Sequence, residues 1–146
     1  MSKIMIAVDL SSYSASVIAA GMELARSTKS PVTITSILDK NAEVIPVIET
    51  VSPSADELNG RLQDIIAHLE TYREAYPDVT ISVTATLGNP KEDILEQAAE
   101  EGTTTLVIGT HGRTGLDHLL IGSTAEFVIR HASIPVLVVP YRKERH

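Results

Sequence analysis

Five short apolar runs alternate with four stretches of helical period along this chain of 146 residues, and few folds accept that rhythm. Residues 3–8 read KIMIAV, 32–38 VTITSIL, 105–108 TLVI and 136–139 VLVV. Such nearly continuous runs are expected of strands covered on both faces. Residues 80–87, TISVTATL, alternate with one wetter face and fit a strand at or near a sheet edge. Between the runs, Ser11, Ser12 and Ser14 offer N-caps for a helix to about residue 27, with Val17, Ile18, Gly21, Met22, Leu24 and Ala25 inward. Ser54 with Glu57 is a capping-box pattern. It opens the longest helix, whose Leu58, Leu62, Ile65, Leu69, Tyr72 and Tyr76 predict one buried stripe before Pro77 and Asp78 end it. Gly88 marks a turn, Asn89 a cap and Pro90 the first position of a third helix, which carries Ile94, Leu95, Ala98 and Ala99 and stops at Gly102. Residues 39–53 hold Pro46 and Pro53 without helical period and read as a long loop, of a length used for lids and binding loops. Strand–helix alternation of this kind predicts one α/β domain over residues 1–146: a parallel, doubly wound sheet with helices on both faces.

The chemistry concentrates in residues 106–124, LVIGTHGRTGLDHLLIGST. A buried strand ends in Gly109, Gly112 follows, and Gly122, Ser123 and Thr124 open the last helix, with Ala125, Phe127 and Val128 as its apolar positions. This arrangement suits an anion. Glycines let the backbone approach phosphate oxygens, while the free N–H groups and dipole of a helix's first turn hold negative charge. Ser123 and Thr124 add hydroxyl donors. Neither GxxxxGK[ST] nor a strand followed by GxGxxG is present, so the common phosphate-loop motifs are excluded. A structural use of the same residues stays open, with Gly109 and Gly112 as turn glycines and Ser123 as an N-cap. Ligands of doubly wound sheets bind at strand carboxyl ends where the strand order reverses. Asp9 and Gly109 both stand at such ends, and they share a crevice if strands one and four are neighbours. Asp9 has the alternative of capping the first helix.

Charge and composition narrow the partners. A net charge of −7 and a single Phe with no Trp argue against nucleic acid. The basic residues at 141–146 read as a solvated tail. No run approaches the roughly 18 to 20 apolar residues of a membrane span. The opening MSKIMIAVD lacks a signal peptide's apolar core, and cysteine is absent. A cytoplasmic protein is the expectation. His111, His118 and His131 match no zinc spacing. For an enzyme, only Asp9 or His111 is available as a base, and neither paired carboxylates nor a Ser-His-Asp set has convincing placement.

The spacing G-x2-G-x9-G-[S/T] at Gly109, Gly112, Gly122 and Ser123, the opening KIMIAVDLSS and the closing IPVLVVP resemble the ATP-binding branch of the universal stress protein family. The resemblance covers nearly the whole chain. It implies a Rossmann-like five-stranded sheet in the order 3-2-1-4-5, which places Asp9 beside Gly109. It further implies that Ala7, Val8 and Asp9 line an adenosine pocket and that the backbone of Ile37 contacts adenine. Gly109, Gly112, Gly122, Ser123 and Thr124 would hold ribose and phosphates, with Arg113 near the phosphate end. Asp9 would also approach the phosphates through a divalent cation. The implied ligand is ATP, or AMP or ADP, with Mg2+. The implied role is a stress-response regulator, a homodimer through Val136–Val139, with at most weak ATP hydrolysis; the alternatives are a slow ATPase or nucleotidyl hydrolase on the same site, or a partner-binding protein without nucleotide. One departure stands out: Leu10 follows Asp9 where a glycine is common, which leaves the shape of the first loop open.

Overall fold

The computed structural model describes residues 1–41, 54–110 and 121–140. In chain order the elements are β1 (Ile4–Ala7), α1 (Ser14–Thr28), β2 (Val32–Asp39), α2 (Ala55–Ala75), β3 (Ile81–Gly88), α3 (Pro90–Glu100), β4 (Thr105–Gly109), α4 (Ser123–His131) and β5 (Val136–Val139). All five strands are parallel, in the order β3-β2-β1-β4-β5. The alternation of patterns, the edge position of β3 and the strand order all stand as expected. Strand ends differ by about a residue: β1 closes at Ala7, although the Val8 N–H still bonds to Thr35 O at 3.0 Å.

Because successive side chains of a strand point to opposite faces, β1 feeds two cores. Ile4, Ile6 and Val8 face one side, where Val17, Ile18 and Met22 of α1 and Ile65 and Leu69 of α2 cover them. Met5 and Ala7 face the other, with Ile94 and Ala98 of α3 and Ala125 and Val128 of α4. Gly21 allows α1 to lie this close. A Cβ there would stand 2.7 Å from Ile6 Cγ1, and Ile6 is fully buried.

The threonines of β2 have a specific use. On the α3 side of the sheet, Thr35 donates to Gln97 Oε1 (2.9 Å), Gln97 Nε2 donates to Thr84 Oγ1 (3.0 Å), and Thr84 donates back to Thr35 (2.8 Å). Thr33 donates to Glu101 Oε1 at 2.9 Å, and Lys3 Nζ donates to the Glu101 carbonyl at 3.1 Å. A polar group inside a fold is tolerated when hydrogen-bonded. This closed ring therefore pins α3 over the β2–β3 pair in one register.

Two local expectations are corrected. The serines at 11, 12 and 14 do not cap α1: Tyr13 holds the cap position without a side-chain cap bond, and Ser14 is already helical. Ser11 instead accepts the Tyr13 N–H (3.3 Å), while Asp9 Oδ1 accepts the Ser11 N–H (3.0 Å), so the polar side chains shape the loop before the helix. In α2 only Ile65 and Leu69 of the predicted stripe are buried; Leu58, Leu62, Tyr72 and Tyr76 are half-buried. The helix lies toward edge strand β3, where the sheet no longer covers the whole stripe. Its start is as read: Ser54 Oγ accepts the Glu57 N–H at 3.1 Å. At α3, Asn89 Oδ1 accepts the Lys91 N–H, and Asp93 Oδ2 in turn accepts the Asn89 N–H (2.9 Å). A side chain at Gly88 would strike that Asp93 carboxylate. Of the long loop read over residues 39–53, Asp39 belongs to β2 and residues 42–53 lie outside the described residues.

Candidate functional site

Strands β1 and β4 pair directly, Ile4 with Thr105 through Ile6 with Val107, so their carboxyl ends lie side by side. Here the strand order reverses, and a cavity of about 340 Å³ opens over them. That is within the range of small-molecule sites, roughly 300 to 1,000 Å³. Of the residues singled out in the sequence, Ala7, Val8, Asp9, Ile37, Gly109, Gly122, Ser123 and Thr124 all line it. Gly112, Arg113, His111 and His118 lie outside the described residues, as does the tail at 141–146.

Each wall follows from the fold. The crossover out of β1 brings Asp9 onto the floor, and Leu10, Ser11, Tyr13, Ser14 and Val17 onto the α1 side. Leu10 takes φ 62°, the left-handed region in which a side chain costs energy. The glycine common at this position would adopt that shape freely, so the one departure in sequence is absorbed as backbone strain. The end of β2 supplies Ser36, Ile37, Leu38 and Asp39, and Ile65 reaches in from α2. Across the sheet, Pro90 and Ile94 of α3, Ile108 of β4 and Ala125 of α4 complete an aliphatic wall.

At the far end, the Gly122 N–H bonds to Thr110 O at 2.7 Å, tying the start of α4 to the end of β4. Gly122 holds the cap position with φ −63°, and no side chain caps the helix. Ser123 is the first helical residue, not the cap. A pattern emerges among the four helices. Ser54 caps α2 and Asn89 caps α3, whereas α1 and α4, whose first residues Ser14 and Ser123 line the cavity, begin without a side-chain acceptor. At α1 the Ser14 N–H is already taken by Ser11 O (3.1 Å), so it is the first turn of α4 that presents N–H groups suited to an anionic ligand.

Sequence reading missed Thr110, Ser14, Ser36 and Asp39. The rule that selected Asp9, an aspartate at a strand's carboxyl end, applies equally to Asp39 once β2 is extended by one residue. Ser14 carried no signal, since it read as a cap. Among the described residues no group of three or more His, Cys, Asp or Glu side chains could hold a metal ion. His131 lies beside Phe127 one turn earlier, ring centroids 4.3 Å apart.

The fold is that of the doubly wound α/β class, with a crevice at its switch point. Within that class, the model of the universal stress protein family matches residues 1–140, and the chain belongs to this family. Universal stress protein MJ0577 of Methanocaldococcus jannaschii is 33% identical over 84 residues, 58% of this chain and 49% of that protein. The first curated relatives are thus matched over about half their length or less. The solved structure of MJ0577 superposes with a TM-score of 0.73 at 22% identity, covering 99% of both chains. A universal stress protein in complex with cAMP gives 0.69 at 19% identity, over 95% of this chain and 96% of that one. The universal stress protein of Archaeoglobus fulgidus in complex with dAMP gives 0.61 at 20%, over 95% and 98%. At these identities the superpositions establish the shared fold.

Proposed function

We propose that this chain binds one adenine nucleotide, ATP by preference and with Mg2+, and serves as a homodimeric regulatory module in stress response. The observation that carries the proposal is one cavity at the β1–β4 switch point that joins Asp9, Gly109 and Gly122 to the uncapped first turn of α4. Aliphatic side chains of Ile37, Ile94 and Ile108 offer a slot for the base. Ser123 and Thr124 offer N–H groups to phosphate, where the family resemblance also puts Gly112 and Arg113. The carboxylate of Asp9 fits a cation held jointly with phosphate oxygens, the usual mode for Mg2+. Complexes of family members with cAMP and dAMP support the adenine class.

The assembly follows from edge strand β5. Leu137 is 37% exposed on it, and an apolar edge calls for cover. A second copy pairing along Val136–Val139 would supply it.

Native mass spectrometry of the purified chain tests both parts. One adenine nucleotide per chain on a dimer is the expected result, its mass separating ATP from AMP. A monomer that takes up no nucleotide at millimolar MgATP would overturn the proposal.

A further inference from the structure

Helix α3 does two different things along its length. Its first half meets the cavity, where Pro90 and Ile94 line the wall together with Ile37 of β2, and Ile37 and Ile94 belong to one buried cluster. Its second half carries polar groups to the sheet. Gln97 Oε1 accepts from Thr35 (2.9 Å), while Gln97 Nε2 donates to Thr84 (3.0 Å) and to Glu101 Oε2 (2.6 Å), so both amide protons are used. Thr84 closes the ring by donating to Thr35, which is fully buried.

Hydrocarbon would cover this part of the sheet as well. Replacing a satisfied buried polar group and its partners by apolar groups of the same shape is nearly neutral for stability, so stability alone does not account for the ring. What hydrogen bonds add is direction: a fully satisfied network fixes one arrangement where methyl groups tolerate small slides. The place of the ring says what is fixed. Along β2, Thr35 and Ile37 are two residues apart and share a face of the sheet. Along α3, Gln97 follows Ile94 by three residues and lies on the same side of the helix. The Thr35–Gln97 bond therefore ties β2 to α3 one step below the two isoleucines of the aliphatic slot. A slot for a planar base works at one width, because a gap on either face of the base forfeits its contacts.

We infer, on the adenine-nucleotide reading of this cavity, that Gln97 is a positioning residue: through its ring with Thr35 and Thr84 it sets the distance of Ile94 from Ile37, and so the fit of the base. Gln97 is not itself part of the cavity lining, and the phosphate end, at the start of α4, lies on another element.

The triple variant Thr35→Val, Thr84→Val, Gln97→Leu replaces the ring by hydrocarbon of similar shape. Calorimetric titration of the full chain and of this variant with MgATP and MgCTP tests the inference, since the two ligands share sugar and triphosphate and differ in the base. The variant should bind ATP about tenfold more weakly, the effect of losing roughly 50 to 60 Å² of apolar contact. CTP, whose smaller base fills less of the slot, should weaken by less than about threefold, so that the parent chain's preference for ATP shrinks. The ligand-free melting temperature should stay within a few degrees of the parent's. Gln97→Met alone, which leaves Thr35 and Thr84 bonded to each other, should shift the preference in the same direction. Unchanged ATP affinity would overturn the inference, as would equal weakening for both nucleotides or a parent chain that does not prefer ATP to CTP. If the triple variant does not fold, the Gln97→Met chain decides by the same criteria. Failure of the parent chain to bind MgATP would instead remove the nucleotide reading itself, and the inference with it.

Discussion

Leu10 holds a left-handed backbone (φ 62°) directly after the aspartate on the cavity floor, while its side chain packs half-buried against the larger core. The two effects oppose each other. Left-handed backbone costs a leucine about 1 to 2 kcal/mol, and partial burial of the side chain returns a similar amount. Leu10→Gly is therefore expected to leave stability within about 1 kcal/mol, while Leu10→Val, β-branched in a region that disfavours branching, should cost about 1 to 2 kcal/mol. Urea denaturation of both variants checks the order; a valine variant as stable as the glycine variant would contradict it. At the same scale, Asp9, Gly109 and Gly122 were readable in the sequence because strand ends and glycines leave a spacing. Ser14 and Thr110 were not. A serine that lines a cavity and a serine that caps a helix look alike until the cap position is assigned, and here that position belongs to Tyr13.

Helices and strands followed their patterns because each apolar run had one period and a clear stop. β1 and β4 read as buried from composition alone, and α3 was bracketed by Asn89, Pro90 and Gly102, whose φ of 69° suits only glycine well. The overextended stripe of α2 came from a period that says which face is apolar but not how far the sheet beneath it reaches. Packing between elements is where the sequence spoke least. Gly21 looked like one more inner position of α1, yet it sets the spacing of α1 from β1. Gly21→Ala should destabilise by about 1 to 3 kcal/mol through overpacking. Ile6→Val, which removes a crowding methyl, should then cost less in the Gly21→Ala background than alone, a coupling that a double-mutant cycle measures. Independent, additive losses would show that the helix moves away freely. The end of α1 is tied down differently. Arg26 Nε and Nη2 grip both oxygens of Asp78, at 2.7 and 2.9 Å, and the guanidinium sits 5.2 Å from the centre of the Tyr76 ring. The hydrogen bond from Arg26 holds the Asp78 carboxyl below its ordinary pKa, and the same bond raises that of Arg26. A lowered folded-state pKa means stability present above the unfolded value and lost as pH falls through the folded one. Asp78→Asn should accordingly melt lower than the parent chain at neutral pH, by a small margin because the pair is exposed. The gap should close only below the usual aspartate range. A gap that is constant from neutral to strongly acid pH would rule out the ion pair as its source.

Across the whole molecule, the parallel sheet carries two cores and leaves its carboxyl edge open where β1 and β4 part their crossovers to opposite faces. The position of the cavity is thus a consequence of topology, and its lining a consequence of which residues happen to end each strand. The cavity floor was therefore foreseeable once the family resemblance supplied the strand order, while the wall from α1, the end of β2 and α3 required the folded chain. No helix among the described residues is long and apolar enough to cross a membrane. The central claim is that this cavity holds an adenine nucleotide with its phosphates at the start of α4. Calorimetric titration with MgATP of the parent chain and of Gly122→Val, a side chain placed at the buried turn between Thr110 and Ser123, addresses it most directly. The account predicts saturable binding of one nucleotide per chain, weakened at least about tenfold in the folded variant by the loss of close backbone approach. Equal affinity in the two proteins, or no binding by the parent chain at millimolar nucleotide, would contradict it.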